Sequence, residues 1–78
     1  MAQTDKPPTM LSHGELPYPA GTLVMDTISE RKGELVGVIE ERVKQTGRVV
    51  SQMAHMRPRG GGIEWDAPLE RIQPVENA

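Results

Sequence analysis

Short apolar runs alternate with polar turns along most of the chain, and this pattern predicts β-strands. "GTLVMDTI" begins at Gly21 as a short, β-branched apolar run and ends in the polar turn "SERKG". "RVVSQMAHM" is another such run and breaks at "RPRGGG". In "IEWDA", Ile63 and Trp65 alternate with Glu64 and Asp66, the period of two that places successive side chains on opposite faces of a strand. These segments predict three strands, with Ile63 and Trp65 on one face of the last.

The segment from Leu35 to Glu41 fits either a helix or a strand. A helix would align Leu35, Ile39 and Val43 on one stripe. It would also place two glycines in its interior, each costing about 1 kcal/mol, and would leave two valines off the stripe. The pattern therefore favours a strand.

The C-terminal part predicts a helical turn and a closing strand. "PLERI" suits one turn of 3-10 helix, with Pro68 at its first position. Pro74 confines the strand "IQPV" to an edge or a strand end. Five short strands with one 3-10 turn before the last predict an all-β fold, a small five-stranded antiparallel barrel over residues 20–75. Residues 76–78 are expected to fray.

The N-terminal segment differs in character from the rest. Residues 1–19 hold four of the seven prolines and few apolar side chains. This composition predicts a disordered N-terminal arm. The alternative is an arm that binds a partner through Leu11, Leu16 and Tyr18, with "LPYPAG" as the part expected to lie against the domain.

Composition narrows the class of protein. Seventy-eight residues allow one domain, with a marginal core. The absence of cysteine excludes disulfides, thiolate metal sites and thiol catalysis. The longest uncharged apolar run, residues 21–25, is too short to cross a membrane, and the first residues lack a signal-peptide pattern, so we expect a cytoplasmic protein. A net charge of −2 argues against a dedicated nucleic-acid binder.

The opening "GTLVMDTISERKGELVGVI" resembles the start of KOW and other SH3-like small barrels: a glycine, an apolar strand, a polar turn and a second strand. The resemblance implies that Val24 points inward and that Gly37 and Ile39 match the Gly-x-Val of the second strand. KOW motifs imply RNA or polymerase contact, but this chain lacks their strongly basic face and has an extra turn at "VKQTG". The span 21–75 also resembles a group of short, uncharacterised actinobacterial proteins. The matching residues are Gly21, Leu23, Val24, Asp26, Arg57, Pro58, Gly60, Gly61, Glu64, Trp65, Asp66, Ile72 and Pro74.

Few residues are candidates for chemistry. Gly60–Gly62 lack the spacing of a Walker loop or a dinucleotide fingerprint, and a hairpin loop is the favoured interpretation. Trp65 is expected to be buried with a partner for its indole N–H, and Asp26 to cap the following turn. His13 and His55 are too scattered for a metal site. No nucleophile, base and orienting group form a set, so we expect no enzyme, no cofactor and no metal.

A cluster of basic residues is the candidate partner-binding site. Arg57 and Arg59 flank Pro58 before the glycine loop and suggest a basic hairpin, but the favoured interpretation is solvated arginines paired with Glu64 and Asp66. The candidate partner-binding residues are Arg57, Arg59, Arg31, Lys32 and Arg48.

The sequence therefore predicts a non-catalytic binding module that contacts another protein. One alternative is a KOW-like domain in contact with nucleic acid. Another is a small oligomerising subunit, with Val49 and Met53 exposing an apolar patch for self-association.

Overall fold

A computed structural model describes residues 7–75 as six β-strands and one 3-10 turn. The 3-10 turn, Leu69–Arg71, lies directly before the last strand, as predicted. The all-β class is confirmed, but there are six strands instead of the expected five. Residues 76–78, expected to fray, lie outside the described part. The strands are β1 (Thr9–His13), β2 (Leu23–Asp26), β3 (Arg31–Val43), β4 (Val49–Arg57), β5 (Trp65–Pro68) and β6 (Ile72–Pro74).

All six strands form one antiparallel sheet, ordered β5-β4-β3-β2-β6, with β1 also paired to β3. β1 pairs with residues 39–43 of β3, and β2 pairs with residues 31–34. β1 and β2 therefore lie end to end along the same side of β3, and a loop separates them. The sheet is not closed, so the predicted barrel is not confirmed.

A bulge in β3 changes which of its residues face the core. The pairing with β4 shifts between Leu35 and Gly37, which makes Val36 an extra, bulged residue of β3, and shifts again between Glu41 and Arg42, where the extra residue is Val50 of β4. Val36 is accordingly 38% exposed. The segment from Leu35 to Glu41 is a strand and not a helix, as the sequence pattern predicts. The buried residues of β3 are Gly33, Leu35, Val38, Glu40 and Val43.

The hydrophobic core lies against the first half of β3. We call this end of the sheet the proximal half, and we call β1 with residues 38–43 and 49–53 the distal half. Val38 and Val43 are buried in the distal half but lie outside the core cluster. Tyr18, Trp65 and Leu69 pack against that cluster at its margins. Its members are Val24, Leu35, Ala54, Met56, Ala67 and Ile72.

Part of the N-terminal segment expected to be disordered is a strand. Thr9–His13 forms β1, and the Thr9 hydroxyl donates a 2.6 Å hydrogen bond to Glu41. The Lys44 N–H donates to the Pro8 carbonyl at 3.0 Å. Tyr18 packs on the core, which agrees with the expectation for "LPYPAG". Composition alone missed β1 because this strand gains its order from the distal edge of β3. Residues 1–6 of the expected arm lie outside the described part.

The glycine loop before β5 is longer than the alternating pattern suggests. Ile63, predicted to share a strand face with Trp65, lies outside β5 and is 87% exposed. Gly60, Gly61 and Gly62 have φ values of 84°, 104° and 123°. Glycine adopts this left-handed region without steric penalty. The loop interpretation of the three glycines is therefore confirmed.

Candidate protein-binding surface

One side of β1, β3, β4 and β5 faces away from the core, and we call it the outer face. Side chains alternate along each strand, and residues paired across strands share a face. The buried Ala54 pairs with Val38 and Ala67 on the core side, so their strand neighbours point outward. The outer face includes Leu11, His13, Gly37, Ile39, Glu41, Ser51, Met53, His55 and Asp66.

The middle of the outer face is apolar and open. Ile39 pairs with His13 of β1 on one side and with Met53 of β4 on the other. Leu11 is 70% exposed. Ile39 and Met53 are half-buried, and together with Leu11 they line a surface depression. An apolar patch that reaches the surface is a common property of sites that bind partners.

The border of this apolar row carries carboxylates. Glu41 and Asp66 line a depression together with Leu11, Ile39 and Met53. Glu64 lines the adjoining depression, beside Ile39 and both histidines. Neither depression is lined by a lysine or an arginine of the described residues. The outer face is therefore apolar at its centre and acidic at its border.

Glu41 also holds the distal strands together. One carboxylate oxygen accepts the Thr9 hydroxyl of β1 at 2.6 Å. The other accepts the Ser51 hydroxyl of β4 at 3.4 Å. A single β3 side chain thus links three neighbouring strands on the outer face. The prediction from sequence missed Glu41, because the bulge at Val36 that turns it outward leaves no clear pattern.

On the core side of the distal half, Glu40 forms a buried polar network. Its carboxylate accepts hydrogen bonds from Gln52 at 2.8 Å and from Arg42 Nε at 3.0 Å. These hydrogen bonds lower the pKa of Glu40 below its ordinary value of 4.5. Arg42 in turn donates to the Gly47 carbonyl at 2.8 Å. The network fixes the β3–β4 hairpin instead of presenting a reactive group.

Trp65 lies at the proximal end, between a carboxylate and a guanidinium group. Its indole N–H donates to Asp26 Oδ2 at 3.0 Å, which is the hydrogen-bond partner predicted for this group. The Arg31 guanidinium lies 3.9 Å from the ring centroid, a cation–π distance. Gly33 leaves room for the ring, because a Cβ there would lie 2.6 Å from Trp65 Cη2. The ring is half-buried, with its edge and one face held by these contacts.

Asp26 closes the β2–β3 turn, as predicted. It is 3% exposed and accepts hydrogen bonds from the Ile28 N–H at 2.9 Å and the Ser29 hydroxyl at 2.9 Å. Burial raises the pKa of Asp26, but the hydrogen bonds from Ile28, Ser29 and Trp65 outweigh burial. Its pKa therefore lies below the ordinary value of 3.8. Asp26 is a structural carboxylate that stays ionised.

The five predicted basic residues do not form one site. In the β3–β4 ladder, Arg57 lies opposite Glu34 at the proximal end. Four of the basic residues lie at this end and are exposed: Arg31, Lys32, Arg57 and Arg59. Arg48 precedes β4 at the opposite end of that strand. Nine residues at about 3.3 Å each separate Arg48 from Arg57 by roughly 30 Å. Arg31 is engaged with Trp65.

The expected pairing of the hairpin arginines with Glu64 and Asp66 does not occur. The ion pairs of the described residues join Arg42 to Glu40 at 2.8 Å and Arg71 to Glu70 at 4.0 Å. Between residues 7 and 75 no group of three or more histidine or acidic side chains could hold a metal ion. In that same part of the chain, no helix is long and apolar enough to cross a membrane.

Comparison with known protein families, with curated proteins and with solved structures found no match.

Proposed function

We propose that this protein is a non-catalytic binding module whose outer face binds another protein. The observation that carries the proposal is the row of Leu11, Ile39 and Met53 across three strands, which lines a surface depression. The described residues place their buried carboxylates in structural roles: Asp26 in a turn and Glu40 in a hairpin. The side chains available for recognition are therefore those of the outer face.

Charge complementarity defines the partner. The depressions are bordered by Glu41, Glu64 and Asp66 and contain no lysine or arginine. A partner segment that carries apolar side chains beside lysines or arginines would match this surface. Its apolar groups would cover Ile39 and Met53, and its basic groups would meet the acidic border.

The test compares two variants that add the same charge at different places. Met53→Lys places a cation in the middle of the outer face, whereas Ile28→Lys places one in the β2–β3 turn, where Ile28 is 64% exposed. The full chain and each variant are immobilised, and partners from native cells are captured, identified and titrated individually. We expect Ile28→Lys to retain the partner and Met53→Lys to weaken binding at least roughly tenfold. Equal binding by both variants would exclude the outer face.

We also propose that the chain is related to SH3-like barrels, which keeps nucleic-acid contact as the second candidate function. Support comes from the 3-10 turn before the last strand and from the pairing of β2 with β6. The proximal end adds a half-buried Trp65 beside exposed Arg31, Lys32 and Arg57, a combination suited to stacking on a base and contacting phosphates.

Oligonucleotide titrations separate the two candidates. Binding through Lys32, Arg57 and Arg59 must strengthen steeply as salt is lowered, since released counterions drive it. An Arg57→Glu/Arg59→Glu variant should then lose binding. If the wild-type chain binds neither single-stranded DNA nor RNA at low salt, nucleic-acid contact is excluded and the protein-binding proposal is unaffected.

A further inference from the structure

One side of β1 has backbone groups without a strand partner. In the β1–β3 pair, the Gly14 N–H donates to the Val38 carbonyl, and the Lys44 N–H donates to the Pro8 carbonyl. These two bonds fix the alternation of the ladder, so Met10 and Ser12 direct their N–H and C=O groups to β3. The N–H and C=O groups of Thr9, Leu11 and His13 point away from it. Among residues 7–75, only β3 pairs with β1.

This free edge lacks the features that normally block strand addition. Edge strands are commonly protected by a lysine, an inward-pointing charge, a proline or a covering segment. β1 reads "TMLSH", with no Lys, Arg, Asp, Glu or Pro among its five residues. Its two apolar side chains are exposed, Met10 by 50% and Leu11 by 70%. The edge is thus open both in its backbone and in its side chains.

We propose that the β1 edge pairs with the β1 edge of a second copy of this chain, forming a symmetric antiparallel dimer centred on Leu11. In that register Leu11 faces Leu11 of the second copy, and Thr9 faces its His13. Each facing pair exchanges two backbone hydrogen bonds. All the outward-pointing groups of both strands are then satisfied, and a shift of register in either direction leaves some of them unpaired.

The self-complementary register is what favours a second copy as the occupant. A two-fold axis requires that the same patch match itself. Leu11 meets an identical apolar side chain on the outer face, and no like charges meet across the axis. The dimer would join the two sheets into one and place the two outer faces side by side. It does not depend on the outer face binding another protein, because its hydrogen bonds lie in the plane of the sheet.

The length of the edge sets the strength of the dimer. A five-residue strand buries less area than the roughly 1,200 Å² of a stable interface, so we expect a dissociation constant in the micromolar range or weaker. Molar mass should be measured by sedimentation equilibrium from about 10 μM to about 1 mM, a range that spans such affinities. The wild-type mass is expected to rise up to twofold from the 8.6 kDa of one chain.

Two lysine variants locate the interface. Leu11→Lys sets like charges opposite each other at the two-fold axis and should keep the mass at that of one chain. Ile28→Lys makes the same change of charge in a turn remote from β1 and should dimerise like the wild type. A wild-type mass that stays at one chain up to 1 mM overturns the proposal. Equal behaviour of the two variants overturns the assignment to β1.

Amide hydrogen exchange provides a test without substitutions. The Met10 and Ser12 amides bond to β3 within one chain, so their protection should not depend on concentration. The Leu11 amide points to the free edge, and its protection should rise with concentration, by up to the fold-change in dimer population. A Leu11 amide that exchanges equally fast at both ends of the concentration range would refute the pairing.

Discussion

Asp26 shows how one side chain organises the proximal end of the molecule. Its carboxylate accepts from Ile28 and Ser29 in the turn and from the Trp65 indole across the sheet. A local turn and a long-range aromatic contact therefore depend on the same ionised group. Such a group responds both to substitution and to acid.

Substituting Asp26→Asn should lower the free energy of unfolding by about 1–3 kcal/mol at neutral pH, because charge-assisted hydrogen bonds are weakened and an amide N–H₂ competes with the indole. Urea denaturation followed by Trp65 fluorescence measures this. Ser29→Ala, which removes only one of the donors, should have a smaller effect. Equal stability of wild type and Asp26→Asn would show that the hydrogen bonds of Asp26 contribute nothing to the free energy of unfolding.

The pKa shift of Asp26 sets the sign of the acid response. Since its pKa is lowered on folding, the stability it contributes is present above the unfolded-state value near 3.8 and is lost as pH falls through the lower folded value. Glu40 shifts in the same direction from 4.5. Wild type should lose stability from about pH 5 downward, and Asp26→Asn should show a shallower loss. Urea midpoints between pH 3 and 7 measure the slopes, and parallel slopes would contradict the assignment.

Gly33 and Gly37 make a matched pair on β3. A Cβ at Gly33 would lie 2.6 Å from Trp65 Cη2 and 2.7 Å from the Arg57 carbonyl, whereas one at Gly37 meets nothing within 4 Å. Gly33→Ala should destabilise the protein by about 1–3 kcal/mol and shift the Trp65 emission. Gly37→Ala should be neutral or stabilising by up to about 1 kcal/mol. Similar unfolding midpoints for both variants would mean that Gly33 is not needed for the ring.

At the scale of elements, β3 organises the fold by changing face at a bulge. The bulge at Val36 lets Leu35 and Val38 both point inward, although they lie three positions apart in a strand of period two. The same bulge turns Ile39 and Glu41 outward. The outer face is therefore a consequence of one extra residue.

Val36 and Val38 test this assignment because they are chemically identical. Val38 is 1% exposed and Val36 is 38% exposed. Val38→Thr buries a hydroxyl and should reduce the free energy of unfolding by about 1–3 kcal/mol. Val36→Thr should change it by less than about 0.5 kcal/mol. Thermal or urea unfolding of the two variants measures the difference, and the reverse ranking would place the bulge elsewhere.

The strand pattern could be predicted from sequence where local signals decide it. "PLERI" and the glycine loop carry proline and glycine at positions where these residues are compatible with few other conformations, and both elements were predicted. The 13-residue length of β3, its bulge and β1 were not predicted. Those features depend on pairing between distant segments: Thr9 bonds to Glu41 because β2 pairs only with residues 31–34 of β3, which leaves residues 39–43 to β1. Arg48 and Arg57 are nine residues apart in sequence and lie at opposite ends of β4, because the residues between them form an extended strand.

At the scale of the whole molecule, stability is divided unequally between the two halves of the sheet. The core cluster of Val24, Leu35, Ala54, Met56, Ala67 and Ile72 lies wholly in the proximal half. The distal half contains the buried Val38 and Val43 but depends on polar links, from Glu40 to Arg42 and Gln52 and from Glu41 to Thr9 and Ser51. Polar links of this kind stabilise less than a packed apolar cluster.

Native-state hydrogen exchange should therefore separate the halves, since segments with fewer buried apolar contacts open at lower free energy. The Leu35 amide, which donates to the Thr22 carbonyl at 2.9 Å, should exchange only by global unfolding. The Val43 amide, bonded to the Arg48 carbonyl at 2.9 Å, should exchange at least roughly tenfold faster. Glu40→Gln weakens the ion pair to Arg42 and should reduce protection at Val43 more than at Leu35. If both amides have the same opening free energy, in the wild type and in Glu40→Gln alike, the sheet unfolds as one unit.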